Sequence, residues 1–172
     1  DHRGGRVYSA ALGAEEPMNL YDEFFALIPY LNKLGVRYAV IGGIAMAFHG
    51  RPRFTRDIDV LIHPDDIELV RMAFQRLGYR ETAAPWTFRN TNLTLHRFLK
   101  VAGEEEMMID ILLANTLDHQ QIIARAVQAE AEIGPVHVAT RNDLVRLKSS
   151  RNSDQDKVDI RGLLDDSDRE GR

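Results

Sequence analysis

Cysteine is absent from this chain of 172 residues, which excludes disulfide bonds and thiolate chemistry. Long apolar runs are also absent: the longest uncharged one, Tyr38–Phe48, has 11 residues, against about 20 needed to span a bilayer. Basic residues are not in excess, and the formal net charge of −4 argues against a broad nucleic-acid-binding surface. We therefore expect a soluble, cytoplasmic protein with no membrane partner, in which any contact with nucleic acid is local.

Length and composition are those of one globular domain. Apolar residues make up 44% of the chain and charged residues 28%, which is an ordinary balance for a protein with a buried core. The first 17 residues are rich in glycine, alanine and charge and show no periodicity. We predict a flexible N-terminal arm at 1–17, a single domain at 18–166 and a flexible C-terminal tail at 167–172.

Changes in hydrophobic periodicity predict helices alternating with strands, in the order α-β-α-β-α-β-β-α-β-α. The run "RYAVIGG" is typical of a buried strand followed by a tight turn, and "PDDIELVRMAFQRLGY" of an amphipathic helix. Further along, we predict a helix over 117–131, a short strand at "GPVHVAT" and two helical pieces at the C-terminus. The fold class is therefore α/β (α+β), with a mixed β-sheet flanked by helices.

Three aspartates stand among apolar residues of predicted strands. Asp57 and Asp59 in "DIDV" are two residues apart, so both side chains point to the same face of the strand. Two carboxylates this close repel each other, and a hard cation such as Mg²⁺ removes the repulsion by binding both through oxygen. Asp110 lies in the apolar run "MMIDILL", where an unpaired charge is costly to bury, and a metal held by a neighbouring strand would be a suitable partner.

Each of these aspartates also has a purely structural interpretation. A D-x-D pair can be a solvated strand end, and Asp110 can be a buried residue that caps a backbone amide. The combination with Gly42 and Gly43 favours function, because free N–H groups at the start of a helix attract phosphate and glycine lets phosphate approach closely. Phosphate-binding amides, cations and carboxylates could then converge on one cleft.

Basic and hydroxyl side chains near these motifs are candidates for triphosphate binding. Arg53 and Arg56 could reach the β- and γ-phosphates, since guanidinium matches phosphate oxygens in bidentate fashion. Alternatively they neutralise the aspartates or lie in solvent. Thr55 could hydrogen-bond a phosphate, and Lys148 could approach the triphosphate from a C-terminal helix or simply be solvated on its surface.

Three further residues invite a functional interpretation that we do not favour. His49 ends a short helix, where it is expected to cap or pack rather than act as a base. Trp86 and Phe88 could stack on a base or an acceptor, but an aromatic pair of this kind is usually part of the core.

Two longer runs extend these motifs: "IGGIAMAFHGRPRFTRDIDV" and "DLVRLKSSRNSDQDKVDI". The first contains a G-G pair, then thirteen residues, then D-x-D, and a lone aspartate follows on a later strand. This pattern resembles the nucleotidyltransferase superfamily that shares its fold with DNA polymerase β. It is most similar to small bacterial AbiEii-type toxin nucleotidyltransferases, and the resemblance covers residues 20–165.

The resemblance implies an enzyme that transfers NMP from an NTP such as ATP to an acceptor hydroxyl, with release of pyrophosphate. It implies that Gly42 and Gly43 contact the triphosphate and that Asp57 and Asp59 bind the Mg²⁺ of the nucleotide. Asp110 would help to hold a second Mg²⁺ and could accept the acceptor's proton. Two metal ions of this kind stabilise both the attacking and the leaving oxygen of an in-line displacement.

Three functional hypotheses follow. The first is an active Mg²⁺-dependent nucleotidyltransferase whose acceptor is the 3′ end of an RNA such as tRNA, as in toxin-like relatives. The second is a transferase acting on a small hydroxyl compound such as an antibiotic, which suits the acidic charge balance. The third is a non-catalytic partner-binding domain of a toxin–antitoxin pair, whose partner would be a protein antitoxin; the intact carboxylates argue against it.

Overall fold

The computed structural model describes residues 18–82, 84–88 and 91–151. The helices and strands, in chain order, are α1 (Leu20–Lys33), β1 (Tyr38–Ile41), α2 (Gly42–Phe48), β2 (Asp57–Ile62), a 3₁₀ turn (Pro64–Asp66), α3 (Ile67–Arg76), β3 (Arg80–Glu81), β4 (Trp86–Thr87), β5 (Thr94–Ala102), β6 (Glu105–Leu113), α4 (Leu117–Ala124), β7 (Val127–Ala131), β8 (Gly134–Val138) and α5 (Arg141–Arg151). The predicted flexible segments at 1–17 and 167–172 and the second C-terminal helical piece lie outside the described residues.

Asn19 caps the N-terminus of helix α1. The side chain of Asn19 accepts hydrogen bonds from the backbone N–H groups of Tyr21 and Asp22, at 2.9 and 3.2 Å, and so satisfies donors that the first turn leaves free. The helix continues through Pro29 and buries one apolar face, formed by Phe24, Leu27, Ile28 and Leu31. In the part of the chain that the structure describes, no helix is long and apolar enough to cross a membrane.

The eight strands of the described residues belong to one mixed sheet in the order β3-β5-β6-β2-β1-β8-β7, with β4 paired to β5. The pairs β2–β6 and β1–β8 are parallel, and the others are antiparallel. This architecture confirms the predicted fold class. The two strands that carry the aspartate motifs, β2 and β6, lie next to each other at the centre of the sheet.

The two faces of the sheet differ in character at β5. Phe98 packs edge-on against Phe74 of α3, with ring centroids 4.9 Å apart, so this face is covered by the amphipathic helix. Arg97, the preceding residue, points to the opposite face because side chains alternate along a strand. Ile58 and Val60 of β2 are fully buried, whereas Asp57 and Asp59 alternate with them and are half-buried.

The prediction of one helix over 117–131 is wrong in its second half. Helix α4 ends at Ala124, and Val127–Ala131 form a strand that pairs antiparallel with β8, from Val127 opposite Val138 to Ala131 opposite Gly134. Its sequence, "VQAEA", suits a helix by propensity but also alternates like a strand. A two-residue turn at 132–133, followed by Gly134 with φ of +115°, brings β8 back along this segment, and the backbone pairing then decides in favour of a strand.

Candidate active site

The three predicted aspartates lie side by side on one face of the sheet. Strands β2 and β6 pair in parallel with Asp59 directly opposite Asp110. Asp57 is two residues before Asp59 and therefore shares its face. Asp110 is buried, and the other two carboxylates are half-buried. The fold thus concentrates three acidic groups in a small, partly desolvated area, which favours the binding of cations.

The pKa of Asp57 is raised in this environment. Burial raises the pKa above its usual value, and the nearby charge of Asp110 raises it further. The guanidinium groups of Arg97 and Arg56 act in the opposite direction without cancelling the effect. Ionised Asp57 is therefore less stable here than in water, and a bound cation would relieve that cost.

The donor set fits a hard divalent cation such as Mg²⁺, which prefers carboxylate oxygens. Asp57 and Asp59 come from one strand and Asp110 from its register neighbour, so all three can face a common space. Within the ranges that the structure describes, no three acidic or histidine side chains already converge as a closed cation site. The three side chains therefore suit a divalent cation because they carry carboxylate oxygens and share one face of the sheet.

Arg97 is the direct partner of Asp110. It stands opposite Asp110 in the β5–β6 pairing, and its Nε and Nη2 donate to the two carboxylate oxygens at 2.8 and 3.2 Å. The guanidinium carbon also lies 5.3 Å from the centre of the Trp86 ring. The hydrogen bond to Asp110 raises the pKa of Arg97, and the charges of Asp57 and Asp59 contribute.

Sequence reasoning did not identify Arg97 as part of the site. A usable signal was nevertheless present, because Gly103 and Glu104 form a two-residue turn between β5 and β6, with φ of +63° at Gly103. A two-residue hairpin fixes the register of its strands, and that register places Arg97 opposite Asp110.

Gly42 and Gly43, the first two residues of α2, form the turn from β1 into that helix, next to the carboxylates. Gly42 has φ of +69°, and a Cβ atom on it would overlap the carboxylate of Asp59. A Cβ atom on Gly43 would lie 2.7 Å from the side chain of Thr55. Both positions therefore require glycine for space, and the turn is packed directly against two predicted site residues.

The loop between α2 and β2 carries the other basic candidates. Thr55 Oγ1 donates to the backbone oxygen of Asp57 at 3.3 Å, which links the loop to the start of β2. Arg56 is exposed; its guanidinium lies 5.6 Å from the ring centre of Phe54, and its charge acts on Asp57. Arg53 is half-buried and donates to the backbone oxygen of Phe54 at 3.3 Å. Phe54 itself is 81% exposed at the tip of this loop.

Lys148 reaches the site from α5. It is only 1% exposed, so the alternative of a solvated helix surface does not hold. Together with Gly42 and Asp59 it lines a small cavity of about 30 Å³, whose other walls are apolar: Ile41, Leu93, Leu112, Leu144 and Leu147. The fold therefore brings a buried lysine to a cavity that it shares with Gly42 and Asp59.

An ion pair fixes α5 over this face. Asp143, in the first turn of α5, is 1% exposed and accepts hydrogen bonds from Arg125 at 2.8 and 3.1 Å. The Asp143 backbone N–H bonds to Thr140 Oγ1 at 3.1 Å. The aspartate of the "DLVRLK" run is therefore structural: it anchors the helix that carries Lys148 to the end of α4. The rest of the second motif, from 152 onward, lies outside the described residues.

The remaining candidates have local roles. The Nε2 atom of His49 lies 2.7 Å from the carbonyl oxygen of Ala139, so the imidazole donates there and joins the end of α2 to the end of β8. Trp86 is 40% exposed and makes an edge contact with Phe88 at 6.4 Å between ring centres. The expectation that this pair is core is therefore wrong for Trp86, because β4 is a two-residue edge strand with little covering it.

Comparison with protein families gives one match over most of the chain. The family model described as "Nucleotidyl transferase of unknown function (DUF2204)" matches residues 21–170. No curated protein sequence matches the chain.

Solved structures share the fold at low sequence identity. The protein TM1012 of Thermotoga maritima aligns with a TM-score of 0.58 at 12% identity, covering 88% of this chain and 98% of its own. The antibiotic-resistance factor ANT(2'')-Ia aligns with a TM-score of 0.56 at 17% identity, over 87% and 85%. The lincosamide antibiotic adenylyltransferase LnuA, solved with lincomycin bound, aligns with a TM-score of 0.56 at 15% identity, over 87% and 98%. These similarities establish a common fold.

Proposed function

Because the chain belongs to the nucleotidyl transferase family of unknown function that matches residues 21–170, we propose that it transfers NMP from an NTP to an acceptor hydroxyl and releases pyrophosphate. The observation that carries this proposal is the register of β2 and β6, which sets Asp59 beside Asp110 with Asp57 on the same face. Phosphoryl transfer asks little covalent work of a protein and depends on positioning and on neutralising charge.

The three aspartates would hold Mg²⁺ in this reaction. Asp57 and Asp59 would ligate the cation that arrives with the triphosphate, and Asp110 would contribute to a second one. Bound there, Mg²⁺ ions neutralise charge on the attacking and leaving oxygens. The raised pKa of Asp57 supports the assignment, because burial and the nearby charge of Asp110 disfavour the ionised form, which a bound cation would stabilise. Asp110 would also accept the proton of the acceptor hydroxyl.

The triphosphate would lie between the glycine turn and the basic residues around it. Gly42 and Gly43 offer backbone that side chains do not cover, and Thr55 packs against the same turn. Lys148 faces Gly42 and Asp59 from α5, where its ammonium group can neutralise phosphate oxygens. Arg53 and Arg56 lie on the loop leading into β2 and would reach the outer phosphates by bidentate hydrogen bonds.

For the acceptor, we favour the 3′ end of an RNA such as tRNA, because the "IGGIAMAFHGRPRFTRDIDV" run resembles AbiEii-type toxins. A protein antitoxin would then be a natural partner. The second candidate is a small hydroxyl compound of the antibiotic type. It is favoured by the net charge of −4, which disfavours a broad RNA surface, and ANT(2'')-Ia and LnuA are antibiotic-related proteins of this fold.

One experiment tests the activity and the acceptor together. The protein is incubated with Mg²⁺ and each of four α-labelled NTPs in a cell extract, and RNA, protein and small molecules are then separated. We expect label in the RNA fraction with the wild type and none with Asp59→Asn. Label in the small-molecule fraction would favour the second candidate. Absence of both label and NTP binding would contradict the proposal.

A further inference from the structure

Arg97 occupies the position at Asp110 that the proposed second cation needs. Its two hydrogen bonds engage both oxygens of the Asp110 carboxylate. A divalent cation on either oxygen would lie within a few ångströms of the guanidinium group, and like charges at that separation repel strongly in a partly buried site. Arg97 and a cation therefore compete for Asp110.

We propose that Arg97 is an exchangeable counter-ion, a positioning residue that holds Asp110 in the resting protein and releases it when the second cation binds. The inference rests on the proposed function, since it concerns the same carboxylates. It assigns to Arg97 a role that none of the sequence motifs indicates: it makes the third carboxylate available only when the site is loaded.

The surroundings of Arg97 allow such an exchange. Its side chain is 34% exposed, so the guanidinium group has access to solvent, whereas the side chain of Asp110 is only 11% exposed. Trp86 lies beside the guanidinium group on the edge strand β4, at 5.3 Å from ring centre to guanidinium carbon. A guanidinium group released from Asp110 can therefore remain over the indole face, where a cation is attracted by the ring.

Electrostatic interactions among these groups set the order in which the two cations bind. Arg97 is attracted by Asp57 and Asp59 as well as by Asp110. A nucleotide-bound cation at Asp57 and Asp59 would cancel that attraction and would repel the guanidinium group. Filling the first cation position thus weakens the Arg97–Asp110 pair, and Asp110 becomes available to the second cation after the nucleotide has bound.

Binding of Mn²⁺ tests the competition without any reliance on turnover. Free Mn²⁺ is measured by electron paramagnetic resonance in the presence of the protein and a non-hydrolysable ATP analogue, for the wild type, Arg97→Gln and Arg97→Lys. We expect two bound ions, with the weaker one shifted to about ten-fold lower Mn²⁺ concentration in Arg97→Gln, because a like charge a few ångströms away has been removed. Arg97→Lys, which keeps the charge but cannot bind both oxygens, should lie between the two.

Arg71→Gln is a matched control. Arg71 is exposed to a similar extent, at 28%, and pairs with Glu81 at 2.9 Å and with Glu68, away from the carboxylates of the site. Its substitution should leave both Mn²⁺ affinities at wild-type values. Circular dichroism melting curves show whether each variant is folded. If Arg97→Gln does not fold, the comparison of Arg97→Lys with the wild type still tests the competition.

Trp86 provides a second readout, because it is the single tryptophan in the sequence. Its emission should change when Mg²⁺ fills the weaker position in the wild type and should not change over that range in Arg97→Gln. Identical Mn²⁺ curves for wild type, Arg97→Gln and Arg97→Lys would overturn the inference and leave the proposed function intact. A wild type that retains no more Mn²⁺ and analogue than Asp59→Asn would overturn both.

Discussion

The backbone of Gly42 packs directly against the side chain of Asp59. Gly42 has φ of +69°, and the position that its Cβ would occupy lies 3.0 Å from the Cβ and Cγ of Asp59 and overlaps the carboxylate. The glycine turn therefore leaves the space in which the central carboxylate sits. The absence of a side chain at Gly42 therefore makes room for the carboxylate of Asp59, which we propose binds a metal ion.

Replacing Gly42 by alanine should impair both stability and transfer. The left-handed backbone conformation alone costs about 1–2 kcal/mol for a residue with a Cβ, and the methyl group would displace the Asp59 carboxylate. Gly35→Ala is a matched control, since Gly35 also has φ of +69° but nothing lies within 4 Å of its Cβ position. We expect the backbone strain to lower the stability of both variants in denaturant titrations, a larger decrease in Gly42→Ala because of the overlap with Asp59, and loss of transfer only in Gly42→Ala. Equal activity of the two variants would contradict a role for the contact.

Asp59→Asn should abolish transfer and leave the fold intact. Metal-ion stabilisation of the reacting oxygens is worth several kcal/mol, so we expect a loss of at least about 10³-fold in rate. The variant should remain folded, because asparagine keeps the shape of the side chain and the substitution relieves repulsion within the carboxylate cluster. Label transfer and thermal unfolding, measured on one preparation, distinguish a loss of activity from a loss of the fold. An unfolded variant would assign Asp59 a structural role instead.

Asp57→Asn should stabilise the protein at neutral pH and lose that effect in acid. The pKa of Asp57 is raised in the folded protein, mainly by burial, so the ionised side chain disfavours folding above that pKa. Below the ordinary pKa of an aspartate the group is protonated in both states and its contribution vanishes. The difference in free energy of unfolding between variant and wild type should therefore shrink as pH falls from about 8 to about 3. A difference that does not vary with pH would contradict the assignment.

Arg125→Gln should destabilise the protein more than Arg146→Gln does. Asp143 is almost fully buried and depends on Arg125 for two hydrogen bonds, whereas the nearest nitrogen of Arg146 lies 3.9 Å away on a side chain that is 72% exposed. Loss of Arg125 leaves the buried Asp143 carboxylate with weaker compensation, so we expect a clear decrease in the free energy of unfolding. Arg146→Gln should cost less than about 0.5 kcal/mol. Equal effects in chemical denaturation would contradict an anchoring role for this pair.

The positions of the aspartates and of the glycine pair could be predicted because they follow from the hydrophobic periodicity of the neighbouring residues. Alternation along β2 puts Asp57 and Asp59 on one face, and the glycine pair marks the end of β1 and the start of α2. Burial of Asp110 in an apolar strand follows equally from its neighbours in sequence. These features depend on a few adjacent residues, and the structure contains them as predicted.

Features set by tertiary packing could not be predicted in the same way. Lys148 is buried because the packing of α5 places it in the wall of a cavity that Gly42 and Asp59 also line, and nothing in its own helix distinguishes it from a solvated lysine. Residues 127–131 have helix-forming composition, and only their pairing with β8 makes them a strand. Arg97 joins the site through the register of a hairpin, which the sequence specifies only once the turn at Gly103 is recognised.

The most direct test of the central claim is anomalous diffraction from crystals grown with Mn²⁺ and a non-hydrolysable ATP analogue. We predict a Mn²⁺ peak within about 2.0–2.3 Å of oxygens of both Asp57 and Asp59, as expected for a small hard cation. The triphosphate should lie against Gly42 and Gly43. A nucleotide bound elsewhere, or a cation that contacts neither aspartate, would contradict the assignment of this site.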